Sequence, residues 1–163
     1  MHAILLFLSV FAFADPKPLH IPLMGASGQS MGEALVSESP AGVKIAVTLS
    51  NVTPGVHGFH VHENGVCTPV DFKSAGAHFA PAHKAHGKVE GGPHAGDLPN
   101  ITVGKDGKGR AEFVNKNITL KAGPNSLLKS GGTALVLHAK PDDHKTQPSG
   151  DSGDRIACGV ILP

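Results

Sequence analysis

The sequence has no tryptophan and no tyrosine, and only 4% of its 163 residues are aromatic. Its core must therefore rest on Val, Ile, Leu, Ala and Phe. An excess of charge of one sign is also missing, since 14 Lys and Arg face 13 Asp and Glu. This balance gives no electrostatic attraction to nucleic acid or to an anionic membrane surface. The length suits one compact domain with its own core.

The N-terminus carries an apolar run over residues 3–13, which is too short to span a bilayer. Its length fits the core of an export signal, although the usual Lys or Arg at the start is missing. The tripeptide AFA that ends at Ala14 fits the rule for signal cleavage. We therefore predict a signal peptide over 1–14 and a periplasmic or secreted mature domain over 15–163. The alternative is a buried N-terminal strand or helix.

Cysteine is scarce, because Cys67 and Cys158 are the only two and lie far apart in the chain. In an oxidising compartment, an even number of cysteines favours a disulfide bond. Closing so long a loop would stabilise the fold by roughly 4 kcal/mol in the chain-entropy model. Two buried free thiols are the alternative, and they would be expected in a cytosolic chain.

Short runs that alternate apolar and polar residues recur along the chain, and no dozen residues keep a helical period. In the strongest run, VKIAVTLSNV, the apolar residues Val43, Ile45, Val47 and Leu49 share one side. About eight strands are predicted, over 20–24, 32–39, 43–52, 55–63, 100–104, 109–120, 133–140 and 155–162. This pattern predicts an all-β fold, an eight-stranded antiparallel sandwich of the immunoglobulin-like type or a Greek-key β-barrel.

Two long stretches, 64–99 and 141–154, do not fit a strand pattern. Loops of this length in a compact domain are usually functional or disordered. The first of them places ligand-type side chains at intervals, namely His78, His83, His86, His94 and Asp97. Three imidazole nitrogens and one carboxylate suit a tetrahedral zinc ion, and binding would order a loop with little apolar surface. We therefore consider His78, His86, His94 and Asp97 as a zinc site.

The segment GFHVHENGVC places His60 and His62 two positions apart on a predicted strand. Side chains alternate across a strand, so both imidazoles leave one face while Phe59 and Val61 face the interior. His138 lies on another predicted strand. An all-nitrogen set of this kind suits copper, which binds a given nitrogen site more tightly than zinc does. A polar, solvated strand face is the alternative interpretation.

Five motifs, GFHVHENGVC, GAHFAP, HAGDLPN, LHAKPDD and GDRIACGVI, together resemble the copper,zinc superoxide dismutases. The resemblance runs from about residue 20 to residue 162, and GDLPN with the leader is similar to the exported bacterial branch. It implies a Greek-key β-barrel with one copper and one zinc per subunit held outside the barrel under two long loops. It also implies an enzyme that converts superoxide to oxygen and hydrogen peroxide. From the charge balance, we expect no nucleic acid partner and, in the mature form, no membrane partner. The resemblance leaves a monomer and a homodimer open.

Carried over residue by residue, the resemblance implies a set of roles. The implied copper ligands are His60, His62, His78 and His138. The implied zinc ligands are His78, His86, His94 and Asp97, so His78 would bridge the metals and act in catalysis. Asp142 would hydrogen-bond one ligand from each site, and Arg155 would attract the anionic substrate beside copper. The pair Cys67 and Cys158 matches the disulfide of the family.

The remaining histidines have simpler interpretations. His57 and His144 are expected at the surface, and His20 is expected to be exposed. His83 is an alternative ligand that the family spacing disfavours.

Two acidic residues, Asp151 and Asp154, lie close to Arg155 in the sequence. They are not expected beside a site that attracts an anion. Negative charge there should weaken the attraction of superoxide.

The alternative function is a secreted domain that stores or hands over copper or zinc without catalysis. Since every ligand and the arginine are present, the sequence favours the enzyme.

Overall fold

The computed structural model describes residues 17–163, and the predicted signal peptide lies outside them. These residues form nine strands and one short 3-10 turn, Lys73–Ala75. The strands are β1 (Leu19–Gly25), β2 (Ser30–Ser39), β3 (Gly42–Leu49), β4 (Gly55–His57), β5 (Phe59–His62), β6 (Ile101–Val103), β7 (Gly109–Asn115), β8 (Thr133–His138) and β9 (Arg155–Ile161). In this part of the chain, no helix has the length and apolar character needed to cross a membrane.

All strand pairs are antiparallel, and their order is β4-β6-β7-β3-β2-β1-β9-β8-β5. The two ends of this order, β4 and β5, follow each other directly in the chain. The sheet therefore curls into a nearly closed barrel, which confirms the predicted all-β fold class. The strand number differs by one, because the single strand predicted over 55–63 is divided in two.

Gly58 divides that strand, because the chain changes its pairing partner there. Before Gly58 the chain pairs with β6, and after it the chain pairs with β8. The Gly58 N–H donates to the Lys140 carbonyl at 2.8 Å, and its carbonyl accepts from the His138 N–H at 2.9 Å. A Cβ atom at this position would lie 3.0 Å from the Ser152 Cβ, so glycine allows the close approach.

The core follows the alternation read from the sequence. Val43, Ile45, Val47 and Leu49 of the VKIAVTLSNV run are buried, and Phe59 and Val61 lie in the same core cluster, as predicted. Strands β5 and β8 differ from the others because every residue in them is buried. Their outer face is covered by two segments, which we call the first loop (residues 63–100) and the second loop (residues 139–154). The functional side chains therefore lie between the barrel and these loops.

The beginning of the first loop is fastened to the outer face of β8 and β9. Phe72 and Ala75 pack there in a small apolar cluster with Ala134, Val136 and Cys158. A disulfide bond joins Cys67 of the loop to Cys158 of β9, with a Cα–Cα distance of 5.7 Å. The predicted pairing of the two cysteines is therefore confirmed.

Replacing both cysteines tests how much this crosslink stabilises the fold. We expect the Cys67→Ser, Cys158→Ser variant to lose about 4 kcal/mol in its free energy of unfolding, because the unfolded chain regains its loop entropy. The measurement is denaturant unfolding of the metal-free protein, with wild type under oxidising conditions as reference. A loss below about 1 kcal/mol would contradict this account of the disulfide.

Candidate metal centre

The backbone of the first loop lies directly on β5, and this contact brings the ligand-type residues to the strand. The Val61 N–H donates to the Gly96 carbonyl at 2.9 Å, and the Val61 carbonyl accepts from the Phe79 N–H at 2.8 Å. His78 consequently lies opposite His62, and Asp97 lies opposite His60. A Cβ atom on Gly96 would lie 2.4 Å from the Val61 carbonyl oxygen, so this close approach requires glycine.

The first histidine cluster contains the two neighbouring histidines of β5, the last residue of β8 and one residue of the first loop. Its members are His60, His62, His138 and His78, which the sequence analysis grouped as one set of metal ligands. All four are buried, and the ring nitrogens that they offer lie within 4.8 Å of one another.

Hydrogen bonds to oxygen atoms fix the outer ring nitrogens of this cluster. His60 donates from Nε2 to Asp142 at 2.9 Å, and His62 donates from Nδ1 to the Gly76 carbonyl at 3.0 Å. His138 directs Nδ1 toward the Gly153 carbonyl at 3.2 Å. Each outer nitrogen must carry the proton in these contacts, so the inner nitrogen keeps a free lone pair. The rings are thus preset as metal ligands.

The second cluster contains His78, His86, His94 and Asp97, all from the first loop. Its centre is Oδ1 of Asp97, which lies 3.0 Å from Nδ1 of His78, 3.0 Å from Nδ1 of His86 and 3.3 Å from Nδ1 of His94. The other carboxylate oxygen accepts the N–H groups of Gly87 and His94. Because Oδ2 is held by the backbone, Oδ1 is presented together with three imidazole nitrogens.

His78 belongs to both clusters, with one ring nitrogen in each. Its Nδ1 lies beside Asp97, and its Nε2 is buried without a hydrogen-bond partner among the described residues. His60 Nδ1 is also buried without such a partner, and His94 Nδ1 is buried and makes no hydrogen bond in this part of the chain, although it lies 3.3 Å from Asp97 Oδ1. A buried polar atom without a partner is unfavourable unless something else binds it. These unpaired nitrogens fit two metal ions, one in each cluster.

Asp142 of the second loop connects the two clusters. Its Oδ2 accepts from His60 at 2.9 Å and its Oδ1 accepts from His86 at 3.0 Å. Burial raises the pKa of this carboxyl group, but the hydrogen bonds from His60, the His144 N–H and His86 outweigh burial and hold the pKa well below its usual range. The carboxylate therefore stays charged and fixes one ring from each cluster.

An open cavity of about 970 Å³ gives access to the first cluster. Its lining includes His62, His78, His138 and Arg155. The Arg155 guanidinium donates to the Phe72 carbonyl at 2.8 Å and to the Gly76 carbonyl at 2.7 Å. These two bonds hold a positive charge at the wall of the cavity. Three lysines of the first loop and its surroundings also line the cavity, namely Lys73, Lys84 and Lys129.

This geometry agrees with the comparisons to known proteins. The family model for copper/zinc superoxide dismutase (SODC) matches residues 30–161. The chain belongs to this family. The Cu-Zn superoxide dismutase 1 of Aquifex aeolicus (strain VF5) is 46% identical over 154 residues, which are 93% of this chain and 91% of the relative.

Two solved structures are also similar to this chain in both fold and sequence. A Cu/Zn superoxide dismutase from Brucella abortus matches with a TM-score of 0.74 and 31% identity, over 89% of this chain and 99% of that one. A SOD-like protein from Bacillus subtilis matches with a TM-score of 0.86 and 38% identity, over 91% of this chain and 100% of that one. The family assigns the chain to the oxidoreductases that act on superoxide, with copper and zinc as cofactors.

Some histidines outside the two clusters differ from expectation. His57, expected at the surface, is buried, so that prediction was wrong; each ring nitrogen lies 2.8 Å from a carbonyl oxygen, of His138 and of Thr53. His144 is half-buried, with Nδ1 3.3 Å from Asp142. His83 is exposed and belongs to neither cluster.

The surroundings of Arg155 also bring in an acid that the sequence analysis did not single out. Burial lowers the pKa of the Arg155 guanidinium, and the negative charge of Asp71 acts against that shift. Asp71 is paired with Lys73 at 3.0 Å. Asp151 and Asp154 are exposed, and their effect on the arginine stays a prediction.

Sequence reasoning also missed two side-chain amides that hold the loops. Asn100 donates to the Asp142 carbonyl and accepts from the Asp142 N–H, both at 2.9 Å. Gln147 makes a similar pair of bonds to the backbone of His86. The motif GDLPN includes Asn100, but no spacing in the sequence marks either amide as a contact to a distant backbone.

The buried rings predict how the metal-free protein responds to acid. Burial lowers the pKa of His60 to about 4 and that of His138 to about 3. The unfolded chain therefore takes up protons below a pH of about 6.5 that the folded chain does not. We expect the free energy of unfolding to fall as the pH decreases from about 6.5 to about 4.

Denaturant unfolding of the metal-free protein at several pH values measures this loss. His83→Asn is the matched control, because it removes an exposed imidazole and leaves both buried clusters intact. The control should lose stability over the same pH interval as wild type. Constant stability of the wild type over this interval would contradict burial of neutral rings as the cause.

Proposed function

We propose that this chain is an exported superoxide dismutase in which His60, His62, His78 and His138 hold copper. His78, His86, His94 and Asp97 would hold zinc. The observation that carries the proposal is the sharing of one buried ring, His78, by two preset donor sets. Copper, when bound, supplies the one-electron redox chemistry by which two superoxide anions and two protons become oxygen and hydrogen peroxide.

The assignment of the metals follows from the chemistry of the donors. Four imidazole nitrogens favour copper, because copper lies above zinc in affinity for a given nitrogen site. Three imidazole nitrogens and one carboxylate oxygen suit tetrahedral zinc. The cavity opens toward the four-nitrogen set, and His62, His78 and His138 lie in its lining. A substrate could therefore reach the copper that these residues would hold.

The protein's own contribution to the reaction begins with attraction of the anion. Arg155 is held by two backbone carbonyls, so its charge stays at the wall of the cavity beside His62 and His138. Positive charge in a cleft raises the encounter rate of an anionic substrate by roughly 10- to 1,000-fold. Arg155 would therefore guide superoxide to the first cluster.

The second contribution is the handling of a proton at His78. Nε2 of this ring is buried and has no hydrogen-bond partner among residues 17–163, and His78 is one of the residues that line the cavity. A proton could be held at this nitrogen while its lone pair is not bound to a metal, and could pass from there to the product. Nδ1 is kept in place beside Asp97 while this happens.

We also propose export, with residues 1–14 as the signal peptide and action in the periplasm or outside the cell. A disulfide bond is stable in those compartments and rare in the cytosol. The bacterial origin of the dismutase relatives is consistent with the same location.

Superoxide consumption by the metal-loaded protein tests the proposed function directly. We expect rapid decay of superoxide with copper and zinc bound, and loss of this activity in His62→Ala, which removes one nitrogen from the first cluster. Metal content measured alongside separates catalysis from binding. A protein that binds both metals but leaves superoxide decay unchanged would instead be a domain that stores or hands over metal.

Replacing the arginine separates guidance of the anion from metal binding. We expect Arg155→Ala to lower the second-order rate constant at low salt at least about tenfold and to flatten its salt dependence. Arg110→Ala is the matched control, because it removes the same charge from the exposed side of β7. Loss of copper from the Arg155 variant, or an equal effect in both variants, would contradict the guiding role.

A further inference from the structure

Gln147 of the second loop bonds to both backbone groups of His86. Its Oε1 accepts the His86 N–H at 2.8 Å, and its Nε2 donates to the His86 carbonyl at 2.9 Å. The same Nε2 donates to the Lys145 carbonyl at 3.1 Å. The side chain thus acts toward His86 as a neighbouring strand would, with one donor and one acceptor.

Two backbone segments lie side by side at this point. The Lys88 N–H donates to the His144 carbonyl at 2.7 Å, next to the bonds that Gln147 makes to His86. Between them Gly87 has a φ of +79°, and a Cβ atom there would lie 2.1 Å from the His144 carbonyl oxygen. The two loops therefore touch through their backbones, and the Gln147 amide completes the contact.

Only a carboxamide can make this set of bonds. A carboxylate of the same shape would accept from the His86 N–H but would place an oxygen against two carbonyl oxygens. An aliphatic side chain would make none of the bonds. Because His86 is fully buried and its ring also bonds to Asp142, its backbone and its ring are both fixed from the second loop.

The second loop also contacts the first cluster. Asp142 holds His60, and Ser152 and Gly153 hold Nδ1 of His138 at 3.1 Å and 3.2 Å. We propose that Gln147 is a positioning residue that fixes His86 for zinc from the second loop. The inference rests on the proposed zinc site at His78, His86, His94 and Asp97.

Zinc affinity and a spectroscopic signature test this role in the full-length mature chain. We expect Gln147→Glu to weaken zinc binding at least about tenfold, the size typical of lost contacts around a metal ligand. Competition with a chelator measures the affinity. Cobalt(II) bound in the zinc site should show shifted visible bands, because the His86 ring is no longer held in place. Gln147→Ala, which adds no charge, should change both readouts in the same direction.

Gln29→Glu is the matched control, because Gln29 lies in the turn between β1 and β2 and its side chain bonds, among residues 17–163, only to Ser27 and Met31. Its zinc affinity and cobalt spectrum should equal those of wild type. Wild-type affinity and spectrum in both Gln147 variants would overturn the inference. An equal loss of stability with and without metal would also overturn it, because Gln147 would then act in folding alone. A wild-type protein that binds no zinc would reject the proposed function itself.

Discussion

The buried carboxylate of Asp142 is the interaction on which the two histidine clusters depend. One oxygen accepts from His60 and the other accepts from His86, so the same group orients one ring from each cluster. The carboxylate is itself held, because Asn100 bonds to both backbone groups of residue 142. Gly150 allows the loop to pass this point, since a Cβ there would lie 1.8 Å from Asp142 Oδ1. The conformation of the second loop and the arrangement of the two histidine clusters therefore depend on the same carboxylate.

The strands and the donor sets could be predicted because their signals are local or periodic. Alternation along VKIAVTLSNV follows from a sheet with one buried face, and the two-residue spacing of His60 and His62 fixes their common side. The structure confirms the burial of Phe59 and Val61 behind those rings. The seven ligand-type side chains chosen from the sequence are brought together as two sets, although the metal that each set binds stays a proposal.

Other features could not be predicted, because they depend on contacts between segments far apart in the chain. The break of the strand at Gly58 follows from a change of pairing partner, which leaves no mark in the local pattern. His57 was expected at the surface, and its neighbours in β4 are exposed, yet its ring is enclosed between the carbonyls of Thr53 and His138. Gln147 is an exposed polar residue in a polar loop, and its contact with His86 depends on the path of the first loop.

The continuity of β4 and β5 has a consequence for how the protein behaves among other chains. A strand at the end of an open sheet presents unpaired N–H and C=O groups, which invite association with a second chain. Here the two ends of the strand order are halves of one segment, each paired on one side, and the loops cover what remains of β5 within residues 17–163. The β5 edge of the barrel thus offers little template for intermolecular β-pairing.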